Sequence, residues 1–148
     1  MKTFAHILVP TDFSPGSSHA LDAALDLAQA LSARVTLVHV MEMPAAYNMT
    51  YAEGLAWPVD ELDTAAKREL NGIVEQVKKR YPAVGSLVSS GDPREVILKT
   101  ADDVGADLIV MATHGRRGIA RAFLGSVAER VVRAARIPVL TVGPDRAK

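Results

Sequence analysis

The segment 107-DLIVMATHGRRGIARAFLGS-126 decides the fold. Its apolar run, Leu108 to Ala112, lacks the alternation of a half-exposed strand and is typical of a strand that helices cover on both faces. A glycine-rich loop follows this run, and an amphipathic helix begins near Gly125. The segment therefore predicts a parallel α/β sheet, with the loop at the carboxyl end of an inner strand.

A ligand is expected at this loop, because the carboxyl ends of parallel strands line a crevice and a helix N-terminus there attracts anions. Ser126 can cap the helix and offer a hydroxyl. The other residues that favour a phosphate are three glycines, which permit positive φ or close approach of a ligand, and three cations: Gly115, Gly118, Gly125, Arg116, Arg117 and Arg121. Two interpretations stay open here: a phosphate site, or glycines that only let the loop turn.

Strand-like and helix-like segments alternate along the rest of the chain. Apolar runs predict four more strands, at Ile7–Val9, Val35–Val40, Leu87–Val88 and Pro138–Val142. Helical spacing of apolar residues predicts helices after Ser14, over Val59–Tyr81, after Asp92 and after Ser126. With right-handed crossovers, this order gives a five-stranded parallel sheet between two helix layers, in a single domain over residues 1–148.

Helix start and stop signals support this order. Ser14 is a predicted N-cap, and Asp92 is another, with Glu95 completing a capping box. Gly105 is expected to end the helix that begins after Asp92. Asp12 falls in the turn after the first strand, where it is either an ordinary turn residue or a ligand contact.

The last strand is expected at an edge of the sheet, because no helix follows it in the sequence to cover it. An apolar edge strand invites pairing with another chain, and a twofold homodimer closes that edge. The predicted dimer interface is the antiparallel meeting of two copies of Val139, Leu140, Thr141 and Val142.

Composition excludes several classes of function. The 148 residues contain no cysteine, which excludes disulfides and thiolate metal sites, and the net charge is zero, which disfavours nucleic acid and anionic membranes as partners. No apolar run suits a bilayer span or a secretory core, so a cytoplasmic protein is expected. The irregular segment Met41–Pro58 is interpreted as a cover for a helix, a lid over the crevice or a partner surface.

Four stretches of the chain resemble the universal stress proteins of the UspA type: ILVPTDFS, LVHV, DLIVMATHGRRG and LGSVAERVVRAARIPVLTV. The ATP-binding branch of that family has a signature of glycine, two residues, glycine, nine residues, then glycine with Ser or Thr. Gly115 and Gly125-Ser126 match this signature, whereas the first glycine is Ala112. The resemblance covers the whole length and implies a Rossmann-like three-layer sandwich of the adenine nucleotide alpha hydrolase-like type, with strand order 3-2-1-4-5.

The resemblance also implies a function: a homodimeric stress-response regulator that binds ATP or AMP and acts on a protein partner. Mg²⁺ or Mn²⁺ would bind through the phosphates, because no carboxylate cluster is visible in the sequence. By resemblance, the residues that contact the nucleotide are Pro10, Thr11, Asp12, Val40, Ala112, Thr113, His114, Gly115, Arg116, Arg117, Gly118, Gly125, Ser126 and Val127.

Other functions are weighed against this one. A homodimeric stress protein without nucleotide binding stays open, with the methyl group of Ala112 as the obstacle. A phosphate-transfer response regulator is set aside, since its acidic pair, phosphorylatable aspartate and lysine are missing. No catalytic group is predicted, because no carboxylate is placed by sequence to orient His114 and neither a G-x-S-x-G elbow nor a P-loop is present. Any ATP hydrolysis should therefore be slow.

Overall fold

A computed structural model of the protein describes residues 3–43, 58–115 and 124–144. The strands are β1 (His6–Pro10), β2 (Arg34–Met41), β3 (Val84–Ser90), β4 (Leu108–Ala112) and β5 (Val139–Val142). The helices of these ranges are α1 (Pro15–Leu31), α2 (Val59–Lys78), α3 (Pro93–Val104) and α4 (Ser126–Ala134). The predicted alternation of strands and helices is confirmed. Most of the irregular segment after Met41 lies outside the described residues.

The five strands form one parallel sheet in the order β3-β2-β1-β4-β5. This is the order that the resemblance implied, and it confirms the Rossmann-like class. β5 pairs with β4 and lies at an edge, as predicted. β1 and β4 are neighbours although they are far apart in sequence, which brings their carboxyl ends together.

Each inner strand buries alternate side chains on opposite faces of the sheet. In β4, Leu108 and Val110 pack with α1 and α2, whereas Ile109 and Met111 pack with α3 and α4. All four side chains are at most 5% exposed. The apolar run of this strand therefore reflects burial on both faces, as the sequence predicted.

The predicted helix signals are confirmed at three positions. The Ser14 hydroxyl accepts a hydrogen bond from the amide of Ser17 at 3.2 Å, and the Asp92 carboxylate accepts one from the amide of Glu95 at 3.2 Å. Gly105 has a φ of 69° and closes α3 in the left-handed conformation. These side chains and this backbone conformation satisfy helix ends that would otherwise lack partners.

Three predicted boundaries are wrong. β3 begins at Val84 and ends at Ser90, well beyond the predicted Leu87–Val88, because all seven of its residues pair with β2. α2 ends at Lys78 rather than Tyr81, whose hydroxyl donates to the main chain of Ala28 or Ala33. The N-cap of α4 is Gly125, so Ser126 is the first helical residue and does not cap the helix.

No helix of the described ranges has the length and apolar character needed to cross a bilayer.

His6 is buried at the amino-terminal end of the sheet and is 6% exposed. Its Nδ1 lies 3.3 Å from a guanidinium nitrogen of Arg34 and its Nε2 lies 2.7 Å from the Thr36 hydroxyl. Because a guanidinium only donates, Nδ1 accepts and the ring hydrogen belongs on Nε2. Burial, and then the positive charge of Arg34, lower the pKa of His6 below its ordinary value of 6.5, against opposing effects of the Val104 carbonyl and the Asp107 carboxylate.

We expect the fold to lose stability in acid through His6. Because the pKa of His6 is lowered in the folded state, the unfolded chain takes up this proton first, so stability present above pH 6.5 is lost as the pH falls through the folded-state pKa. His6→Gln should flatten the decline in the free energy of unfolding below pH 6.5, measured by urea denaturation. His19→Gln, at a half-buried position of α1, is the control. An equally steep decline in His6→Gln would contradict the expectation.

Candidate functional site

The candidate site lies where β1 and β4 end side by side. The chain leaves β1 toward α1 on one face of the sheet and leaves β4 toward α4 on the other face. Such a reversal opens a crevice beyond the carboxyl ends of the strands, which is where open α/β sheets bind their ligands.

A cavity of about 510 Å³ occupies this crevice. It is lined by every predicted nucleotide contact that the structure describes: Pro10, Thr11, Asp12, Val40, Ala112, Thr113, His114, Gly115, Gly125, Ser126 and Val127. Arg116, Arg117, Gly118 and Arg121 lie outside the described residues. The structure thus brings together residues from four separate parts of the sequence.

Sequence reasoning missed a second group of lining residues. Four of them form an apolar floor and are at most 5% exposed: Val38, Ile97, Met111 and Ala128. Pro93, Leu124, Glu42 and Ser17 complete the wall. The apolar residues look like ordinary core residues in the sequence, and only the predicted edge of the sheet could have pointed to them.

Asp12 is held in the turn between β1 and α1. One of its carboxylate oxygens accepts hydrogen bonds from the Ser17 hydroxyl at 2.6 Å and from the amide of Ser14 at 3.0 Å. The intervening Phe13 has a φ of 64°, in the left-handed region. The turn interpretation of Asp12 is therefore confirmed, and the same side chain also lines the cavity.

Hydrogen bonds and a ring contact connect this turn to strand β2. The amide of Thr11 donates to the carbonyl of Val38 at 2.8 Å, and His39 Nδ1 donates to the carbonyl of Thr11 at 2.8 Å. The His39 ring stacks on Phe13 with a centroid separation of 4.3 Å. These contacts fix the direction in which the chain leaves β1.

Gly115 and Gly125 serve close packing rather than an unusual backbone. Neither has a left-handed φ. A Cβ atom at Gly125 would lie 2.6 Å from the carbonyl oxygen of Thr113, and one at Gly115 would overlap the second carboxylate oxygen of Asp12. The amide of Gly125 donates to the same Thr113 carbonyl at 2.7 Å. Added side chains would therefore meet the protein itself, which corrects the expectation that these glycines only leave space for a ligand or a turn.

The first turn of α4 presents amide groups to the cavity. Ser126 and Val127 line the cavity and belong to the first turn, whose N–H groups have no acceptor within the helix. α4 has nine residues, so its dipole adds to the attraction for an anion. This end of the cavity can hold a phosphate group.

An ion pair ties α4 to α3 beside the cavity. Two guanidinium nitrogens of Arg130 lie 3.2 and 3.3 Å from the carboxylate oxygens of Asp92. The hydrogen bond from the amide of Glu95 is the main cause of the lowered pKa of Asp92, and Arg130 lowers it further. Arg130 therefore connects two helices that are separate in sequence.

The described side chains offer little for catalysis or for direct metal binding. His114 Nδ1 lies 3.0 Å from the hydroxyl of its neighbour Thr113, which is a hydrogen-bond partner of the ring among the described residues. Within residues 3–43, 58–115 and 124–144, no group of three His, Cys, Asp or Glu side chains could hold a metal ion. The arrangement is suited to binding.

Residues 3–143 match the model of the universal stress protein family. The chain belongs to this family. Among curated universal stress proteins, it is 35% identical over 143 residues to MJ0531 of Methanocaldococcus jannaschii, a match that covers 94% of this chain and 82% of the relative.

Solved structures agree with this assignment. The structure of MJ0577, from the same archaeon, superposes with a TM-score of 0.78 at 29% identity and covers 99% of this universal stress protein and 100% of its own chain. A universal stress protein from Archaeoglobus fulgidus in complex with dAMP superposes with a TM-score of 0.66 at 25% identity, over 95% of this chain and 98% of that one. An adenine nucleotide is therefore a ligand of a related protein.

We expect Gly125→Ala to lower the free energy of unfolding by about 1–3 kcal/mol, because the added methyl group must displace the Thr113 carbonyl. Gly143→Ala is the matched control, since a Cβ atom there meets no atom within 4 Å. Urea denaturation of the two variants without nucleotide gives the comparison. Equal stabilities would show that Gly125 is not needed for packing.

Proposed function

We propose that this universal stress protein binds an adenine nucleotide, ATP or AMP, in the cavity between β1 and β4. The observation that carries the proposal is that one cavity joins an apolar floor to the first-turn amides of α4. An apolar slot suits a base, and the amides suit a phosphate tail. The dAMP complex of the Archaeoglobus fulgidus relative supports the choice of adenine.

The base is proposed to lie against the end of β2. β1 pairs with β2 only as far as Pro10 and Val38, and the Val38 carbonyl points toward β1, where it accepts from Thr11. Because alternate residues of a strand direct their main-chain groups to the same side, Val40 offers its N–H and C=O groups beyond the end of β1. The Val40 N–H group can donate to N1 of adenine, and the Val40 carbonyl can accept from the N6 amino group.

The ribose and phosphates are proposed to run from β4 to α4. Ala112, Thr113, His114 and Gly115 would follow the ribose and the first phosphate, while Gly125, Ser126 and Val127 would hold the tail. Asp12 is proposed to contact the base or the ribose, and Mg²⁺ or Mn²⁺ to bind through phosphate oxygens. With the His114 ring paired to Thr113, we expect at most slow ATP hydrolysis.

The biological role is proposed to be regulatory. Bound nucleotide would favour one conformation of the cavity walls and so change the surface offered to a protein partner in the cytoplasm. A protein that acts through protein contacts alone is the second candidate, because Ala112 departs from the glycine signature of the nucleotide-binding branch.

We expect the purified protein to bind ATP with a micromolar dissociation constant in titration calorimetry, about −8 kcal/mol. Ser126→Pro tests the phosphate end, since it removes the amide donor at the first helical position, where proline is well tolerated. Gly125, with φ −62° and ψ 157°, already has the extended conformation that a following proline requires. ATP affinity should fall about tenfold or more, because one charge-assisted hydrogen bond is lost.

Two controls accompany this experiment. Ser126→Ala removes the hydroxyl and keeps the amide N–H group. The difference in ATP affinity between the two variants is therefore due to the amide. Adenosine, which has no phosphate, should bind Ser126→Pro and the parent protein equally. If the parent protein does not bind ATP, the nucleotide proposal is wrong and the second candidate function is supported. If Ser126→Pro and Ser126→Ala bind ATP equally well, the phosphates do not bind at the first turn of α4.

We further propose that the protein forms a homodimer through β5. Leu140 of this edge strand and Val132 of α4 are exposed, at 41% and 44%. The carbonyls of Pro138 and Val142 accept hydrogen bonds from Ile109 of β4 and from Thr113, which follows β4. By alternation, Val139 and Thr141 therefore direct their main-chain groups outward. Antiparallel pairing of two copies of β5 would satisfy those outward groups.

We expect Thr141→Pro to convert the dimer into a monomer in light scattering at micromolar protein concentration. The substitution removes an outward N–H group and keeps the hydrogen bonds to β4, and proline is compatible with an edge strand. Thr141→Val keeps the N–H group and should stay dimeric. A parent protein that is monomeric, or a Thr141→Pro variant that stays dimeric, would exclude this interface.

A further inference from the structure

Gly16 lies in the first turn of α1, on a different element from the loop that follows β4. A Cβ atom at this position would lie 3.0 Å from the carbonyl oxygen of His114 and 3.6 Å from the methyl carbon of Ala112. Gly72, which is also helical, has no atom within 4 Å of such a Cβ. The missing side chain of Gly16 therefore allows the end of β4 to pack directly on α1.

The methyl group of Ala112 points toward this gap. Alternation along β4 puts Ala112 on the same face as Leu108 and Val110, which pack with α1 and α2. The apolar floor of the cavity is built on the opposite face, where Met111 packs with α3 and α4. The Ala112 methyl group thus occupies space next to Gly16 and not the apolar floor.

We propose that Gly16 is a positioning residue of the nucleotide site. By carrying no side chain, it sets how closely the carbonyl of His114, and with it the loop after β4, packs on α1. The predicted effect of Gly16 on ATP affinity rests on the proposed nucleotide binding. The predicted effect of Gly16 on the position of the loop rests on its contacts alone.

A side chain at position 16 would require the His114 carbonyl, or α1, to give way by a few tenths of an ångström. Space next to the loop is also limited at Gly115, where an added Cβ atom would overlap a carboxylate oxygen of Asp12. The Thr113 carbonyl is also hydrogen-bonded to the amide of Gly125, at the N-cap of α4. Displacement of the His114 carbonyl therefore changes the position of the loop relative to the amides that are proposed to hold the phosphates.

The test compares Gly16→Ala with the matched control Gly72→Ala. Both replace a helical glycine by a better helix former, so neither should unfold the protein. We expect Gly72→Ala to bind ATP as the parent protein does. Gly16→Ala should bind ATP about fivefold to tenfold more weakly, with a smaller loss for adenosine, because the phosphate end is the one displaced.

A further measurement separates positioning from a general loss of structure. In amide NMR spectra without nucleotide, Gly16→Ala should shift the signals of Thr113, His114, Gly115 and Gly125, whereas Gly72→Ala should leave them in place.

The outcomes distinguish this inference from the function on which it rests. A parent protein that does not bind ATP refutes the proposed function, and the NMR spectra then decide by themselves whether Gly16 sets the position of the loop. Normal ATP affinity in Gly16→Ala, or unchanged loop signals in its spectrum, overturns the inference even when the parent protein binds ATP.

Discussion

The contact on which the site depends is the close packing of residues 113–115 between the first turns of α1 and α4. The Thr113 carbonyl accepts a hydrogen bond from the Gly125 amide at 2.7 Å, and the His114 carbonyl lies against Gly16. Three glycines, from α1, the loop and the N-cap of α4, lie where an added Cβ atom would come to 3.0 Å or less from a carbonyl or carboxylate oxygen. This packing fixes the position of residues 113–115, which form one wall of the cavity.

This packing changes what the glycine spacing means. Gly125 meets Thr113 at a distance that leaves no space for a Cβ atom, and this contact lies within the protein itself. Close packing and phosphate binding are compatible. Gly125 packs on the Thr113 carbonyl, and the residues that follow it in the first turn of α4 line the cavity. By itself, the glycine signature therefore indicates close packing of Gly125 on Thr113. It indicates a ligand only together with the cavity.

Charge is distributed unevenly over the described part of the site. Its formally charged lining residues are acidic, namely Asp12 and Glu42. In these ranges, main-chain amides and the helix dipole are the features that favour an anion. Asp12 contributes to structure as well, since its carboxylate holds Ser14 and Ser17 in place at the start of α1. A residue can thus organise the turn and line the ligand cavity at the same time.

The sequence by itself determined the elements whose causes are local. The apolar run of β4, the caps Ser14 and Asp92 and the end at Gly105 follow from burial and from hydrogen bonds that neighbouring residues satisfy. The family pattern supplied the strand order and a set of cavity residues that alternation alone could not have provided. β3 was underestimated because its Gly and Ser residues carry no apolar pattern, and its extent depends on pairing with β2.

Only the tertiary structure decided which residues meet across the chain. Ile97 and Ala128 form part of a cavity floor, Arg130 pairs with Asp92, and Gly16 lies against His114, although each is distant in sequence from its partner. Local sequence records whether a side chain is apolar, charged or absent. The packing of helices on a twisted sheet fixes which groups come within contact distance, and for that reason the roles of these residues became visible only in three dimensions.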